Sequence, residues 1–215
     1  LSAVFISINW LVYVWAVTTD RVLATSIGYY LNPLVNVLLG RLFLGERLTK
    51  LQGWAVAIAT LAVAILLAGS LETAWISLTL AFSFGCYGLV RKTAPTGSVP
   101  GLAVEMCLLA PIALGVCIWS VWQVQGFREL ETEMLLALGG VITVIPLLLF
   151  ATAARRMSYT ALGFVQYLAP TIVFFLGAFA YDEPLDATKL ACFALIWIAI
   201  ALFSVDAFRR MRSGG

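Results

Sequence analysis

The stretch Gly28 to Leu48, GYYLNPLVNVLLGRLFLGERL, sets the fold. It is long enough to cross a bilayer, which takes about 20 mostly apolar residues. It carries charges only at its far end, where Arg41, Glu46 and Arg47 gather. Yet Asn32, Pro33 and Asn36 sit inside the apolar run. A helix breaker and two amides are expensive in lipid unless they face other protein, water or a solute. From Tyr167 the sequence returns to the same pattern, YLAPTIVFFLGAFAYDEPL.

Working outward, 62% of the 215 residues are hydrophobic and 11% are charged. A soluble domain holds about 45–50% and about 25%. The apolar surface is too large for a water-soluble core, so the bilayer must solvate most side chains. Reading between charged or Gly/Pro-rich breaks predicts eight spans, near 2–18, 23–44, 52–69, 73–90, 101–123, 134–154, 159–181 and 188–207. The links are too short to hold a soluble domain. Trp54, Trp75, Trp119 and Trp122 lie near span ends, where aromatic belts form.

The cations fix the expected orientation. Arg41, Arg47, Lys50, Arg91, Lys92, Arg155, Arg156, Arg209, Arg210 and Arg212 fall on one set of alternate links. Only Arg21, Arg128 and Lys189 fall on the other, with most of the acids. The basic side, which includes both termini, is expected to be cytoplasmic.

Aligning Tyr30 with Tyr167 sets an offset of 137 that later matches keep: Pro33 with Pro170, Leu39–Gly40 with Leu176–Gly177, Glu46 with Glu183, Leu48 with Leu185. Over Leu1 to Leu48 the gapless register holds 13 identities in 48 positions. Apolar composition alone does not place Tyr, Pro, Gly and Glu in one register. The two copies end on opposite faces of the membrane, so the repeat is inverted, as in many secondary transporters. The second copy starts near Thr73, which puts the first copy's start before Leu1. The expected fold is therefore an all-α polytopic helical bundle, with eight spans present of ten in a 5+5 inverted-topology repeat. An amino-terminal signal peptide is the weaker reading, since residues 1–17 lack a basic n-region.

The stretches INWLVYVWAV at 8–17, the opening segment, LAFSFGCYGLVRK at 80–92, GFVQYLAPTIVFFL at 163–176 and FALIWIAIALFSVDA at 193–207 resemble the EamA branch of the drug/metabolite transporter superfamily, and most closely its RarD-type permeases. The resemblance implies an inner-membrane permease of ten spans with both termini inside. It divides the chain into 1–70, the last three spans of a first repeat; 71–208, a complete second five-span repeat; and 209–215, a basic cytoplasmic tail. It names no substrate.

Pro33, Pro111, Pro146 and Pro170 each remove a backbone hydrogen bond to the carbonyl four residues earlier. Such kinks either shape helix packing or line a cavity, and Pro33 and Pro170 occupy equivalent repeat positions. Asn9, Asn32, Asn36 and Gln166 serve either as interhelical hydrogen bonds or as contacts to a polar substrate. Trp10, Tyr30, Phe164 and Tyr167 are candidate aromatic walls. Together Asn9, Trp10, Tyr30, Asn32, Pro33, Asn36, Gln166, Tyr167 and Pro170 form the expected substrate-binding set. Glu105 lies inside a span, near its cytoplasmic end, and is the coupling candidate; the competing reading is a carboxylate that snorkels to the interface. Glu46 and Glu183 read as caps or interfacial pairs.

Without His, no ordinary Ser-His-Asp triad forms, and no nucleotide-binding loop is visible. Cys86, Cys107, Cys117 and Cys192 lack metal-ligand spacing. No catalytic residue, metal or cofactor is expected. The net charge of +2 is too small to suggest nucleic acid. The expected partners are a small-molecule substrate and the lipid bilayer, with a coupling proton or ion and a homodimer as further candidates. The leading function is a secondary-active permease working by alternating access in a bacterial inner membrane. The alternative is a non-transporting membrane subunit or regulator.

Overall fold

The structure, a computed structural model, describes residues 1–69, 71–124, 130–180 and 187–213. Every regular element among them is helical: α1 (Ser2–Thr18), α2 (Val22–Phe43), α3 (Lys50–Ala68), a single 3-10 turn (Leu71–Thr73), α4 (Ala74–Thr93), α5 (Ser98–Val124), α6 (Leu130–Arg156), α7 (Tyr159–Gln166), α8 (Leu168–Ala180) and α9 (Ala187–Ser213). The chain is a polytopic helical membrane protein: α2 to α6 and α9 are each long and apolar enough to cross a bilayer. Arg128 and Glu183 lie outside the described residues.

The span expected over 159–181 is two helices. Tyr167 interrupts it, and its N–H bonds back to the Phe164 carbonyl in a tight turn. Pro170 explains the break: it offers no N–H to the Gln166 carbonyl, and its ring crowds that carbonyl. Pro33 sits inside α2, which runs on unbroken past it.

Packing relies on small residues, because lipid tails compete equally well for large apolar ones. On α3, Ala55, Ala59 and Ala62 are fully buried against Cys192, Ile196, Ala199 and Phe203 of α9. α2 packs along α4 and α7, and α4 also meets α1 and α6. Gly163 of α7 permits a close approach to backbone: a Cβ there would stand 2.8 Å from the Pro33 carbonyl oxygen and 3.2 Å from its Cα.

The basic end is held by polar contacts. Gly45, at φ +65°, ends α2 in the left-handed region that favours glycine. The chain then places Glu46 against the start of α7, where its carboxylate accepts the backbone N–H of Tyr159 (2.5 Å) and Thr160 (2.9 Å). An anion suits a helix N-terminus both by charge and by hydrogen bonding. Lys92 of α4 donates to the Ala154 (2.8 Å) and Met157 (2.6 Å) carbonyls that end α6. Arg155 of α6 donates in return to Ala94 and Thr96 beyond α4, each at 2.7 Å. Thr49 and Gln52 form a capping box on α3, and both donate to Asp206 of α9 at 2.9 and 2.8 Å.

Candidate functional site

α1, α2, α4, α6, α7 and α8 line an open cavity of about 690 Å³. Its lining on α1 and α2 comes from Asn9, Trp10, Tyr13, Val14, Thr25, Gly28, Tyr29 and Asn32. α4 adds Leu80 and Phe84; α6 adds Ile142, Thr143, Pro146, Leu147 and Phe150; α7 and α8 add Gln166, Ala169 and Pro170. These positions run from mid-span toward the end away from the basic cluster. Below them a cluster of Leu31, Val35, Leu39, Ala154, Tyr159 and Leu162 fills the interior. Among the described lining residues there is no Asp, Glu, Lys or Arg.

The lining follows the sequence repeat. At the offset of 137, Asn9 answers to Pro146, Trp10 to Leu147, Tyr13 to Phe150, Tyr29 to Gln166 and Asn32 to Ala169. All ten residues line the cavity.

Of the sequence-predicted set, Asn9, Trp10, Asn32, Gln166 and Pro170 meet in this wall. The others do not reach it. Asn36, fully buried one turn from Asn32, donates to Gln166 Oε1 at 2.8 Å and so stands behind the wall. Pro33 packs under Gly163. Tyr30 turns to Phe193 of α9, edge to face at 5.6 Å. Tyr167 is buried beside Phe164, at 6.0 Å, in the core shared with α3 and α9. Sequence reasoning missed Tyr13, Tyr29, Phe84 and Phe150. Of these, Tyr13, Tyr29 and Phe150 stand at repeat-equivalent lining positions, and that signal could have found them.

Asn9 donates to the Leu80 carbonyl (2.9 Å) and to Ser83 Oγ (3.0 Å), which uses both of its N–H groups. The Asn32 amide is 8% exposed, and its Oδ1 has no hydrogen-bond partner in the protein. Tyr13 meets Tyr29 edge to face at 6.4 Å, and Phe84 lies 4.7 Å from Phe150. The wall is aromatic, with a few fixed amides.

Glu105 does not snorkel. It and Arg91 are each 3% exposed, and they pair at 3.5 Å (Arg91 Nη1 to Glu105 Oε1). The Tyr87 hydroxyl lies 3.5 Å from the other carboxylate oxygen. Arg91, expected in a hydrated link, turns inward and also donates to the Ser98 carbonyl at 2.5 Å. A partner of opposite charge within α4 and α5 spares the carboxylate the route to the interface. The cluster lies outside the cavity, but Tyr87 stacks on Phe150 at 6.2 Å, and Phe150 is part of the wall.

Residues 72–205 match the EamA-like transporter family. A protein of Pseudomonas aeruginosa described as an uncharacterized transporter is 45% identical over 98% of this chain and 72% of its own length. Protein RarD of Escherichia coli is 42% identical over 99% of this chain and 73% of its own. A chloramphenicol-sensitive protein RarD of Pseudomonas aeruginosa is 31% identical, over 99% and 71%.

Proposed function

The chain belongs to the EamA-like transporter family, among its RarD-type permeases, and from that premise we propose that it moves a small organic molecule across the bacterial inner membrane by alternating access. It is a multi-pass membrane transporter of a family that is not an enzyme class. The observation carrying the finer reading is the cavity wall. Ten of its eighteen described residues form five pairs related by the inverted repeat, as expected of a site near the pseudo-symmetry axis that two halves rock around.

In this reading residues 1–70 and 71–208 belong to opposing repeats, and the basic end faces the cytoplasm. Glu46 of the first joins Tyr159 and Thr160 of the second and holds that end shut, while the cavity extends toward the other. Opening inward then requires this clasp to release. Trp10, Tyr13, Tyr29, Phe84 and Phe150 supply apolar contact, and Asn9, Asn32 and Gln166 supply polar contact. The Glu105–Arg91 pair is the coupling candidate. Among the described residues it meets the wall through Tyr87, which packs on Phe84 and Phe150, so it would act by shifting those rings and not by touching the substrate.

The test is flux. Full-length protein reconstituted in liposomes and offered a metabolite mixture should accumulate or release at least one component faster than protein-free liposomes. Identical traces for every component, in either direction and with or without a pH gradient, defeat the transport reading.

A further inference from the structure

Resting on the reading of this cavity as the transport site, we infer that it selects neutral, ring-bearing molecules that carry a carboxamide or hydroxyl group, and that Asn36 sets this preference by orienting Gln166.

Charge comes first. A cavity bounded by aromatic and aliphatic side chains, with no charged residue in its described wall, leaves an ionic solute without a counter-charge. Stripping water from such an ion is costly and nothing here compensates it. Neutral solutes escape that penalty. The facing rings of Tyr13, Tyr29, Phe84 and Phe150 then favour a flat apolar ring over an open chain.

The amides specify the polar part. Both Asn9 N–H groups are used on α4, so its Oδ1 is the atom left to accept. Gln166 Oε1 is occupied by the Asn36 N–H, so Gln166 offers its Nε2 as a donor. The Asn32 amide, one helical turn from Asn36, is nearly buried and its oxygen is unpartnered. A carboxamide matches the set: its carbonyl accepts from Gln166, and its N–H donates to Asn9. A hydroxyl can satisfy the Asn9 acceptor as well.

Asn36 touches no solute in this arrangement, so it is a positioning residue. Were it removed, Gln166 could turn its amide end for end and present an acceptor instead. A ligand that needs the Gln166 donor would lose one hydrogen bond, a weakening of about tenfold. A ligand that only donates would lose little.

Isothermal titration calorimetry on detergent-solubilised full-length protein tests this with four probes that share a phenyl ring: phenylacetamide, phenethyl alcohol, phenylacetate and phenethylammonium. The amide and the alcohol should bind, and both ions should bind at least about a hundredfold more weakly. Asn36→Leu should weaken phenylacetamide about tenfold and spare phenethyl alcohol. Structural damage would weaken both alike. Either ion binding as tightly as the amide overturns the preference. Equal loss of amide and alcohol, or no loss of either, in a variant with native helicity overturns the role of Asn36. Metabolite flux in liposomes with no binding of the neutral probes sinks this class and leaves the transport reading standing. Neutral-probe binding with no flux of any metabolite does the reverse.

Discussion

Arg91 and Glu105 offer the sharpest energetic prediction. Both side chains are buried, they meet at 3.5 Å, and they join α4 to α5. Removing one partner leaves the other charge buried and uncompensated, a loss of about 3–5 kcal/mol. Arg91→Met should fall toward the upper end, because it also deletes the hydrogen bond to the Ser98 carbonyl, about 1 kcal/mol more. Glu105→Leu strands the guanidinium and should fall toward the lower end. Replacing both at once removes the unpaired charge, so the double variant should lose only about 1 kcal/mol or less. The assay is equilibrium unfolding in dodecyl maltoside titrated with SDS, read by circular dichroism. Each single variant should lower the folded-to-unfolded ratio by more than about a hundredfold, with the double variant close to wild type. Additive losses in the double variant, or single losses below about 1 kcal/mol, would refute the buried-pair reasoning.

Gly163→Ala puts a methyl 2.8 Å from the Pro33 carbonyl, which as backbone cannot swing aside; a cost of about 1–3 kcal/mol is expected in the same unfolding assay, together with reduced flux as α7 carries Gln166 off Asn36. No change in either quantity would show that α2 and α7 are not pressed together there. If Glu105 links proton uptake to transport, Glu105→Gln should flatten the pH dependence of flux, scored per folded protein because the variant also strands Arg91; an unchanged profile removes it as coupling residue. In a cysteine-free background, an impermeant thiol reagent applied to intact cells should label Thr19→Cys and spare Thr96→Cys, and the opposite pattern would invert the orientation.

Much of the fold is legible in the sequence because length and hydropathy fix a span regardless of its neighbours. The run predicted at 23–44 is the helix Val22–Phe43, and the one at 52–69 is Lys50–Ala68. The split of the seventh span follows from Pro170, but its position at Tyr167 depends on how the freed carbonyl is accommodated. Rotation about each helix axis is harder to read. A helix apolar nearly all round has no polar face to mark its inner side. Tyr30 and Tyr167 therefore looked like cavity walls but point into the α3–α9 core, while Tyr13 and Tyr29, unremarkable in pattern, form the wall. Asn36 and Gln166 were recognised as polar outliers, yet their direct bond joins residues on two helices and has no trace in local sequence. Glu105 shows the same limit: nothing near it predicts that Arg91, beside a polar link, turns into the bundle to meet it.

The central claim is that two inverted halves rock around the cavity, opening one end as the other closes. Pairs of spin labels measure this directly in liposomes, one pair at Arg47 and Arg156 on the basic end, the other at Thr19 and Met134 on the opposite end, with distances recorded before and after adding a transported substrate. The account predicts reciprocal shifts: a population in which the Arg47–Arg156 distance lengthens while the Thr19–Met134 distance shortens. Distances that stay fixed at both ends, or that lengthen together at both, would contradict it.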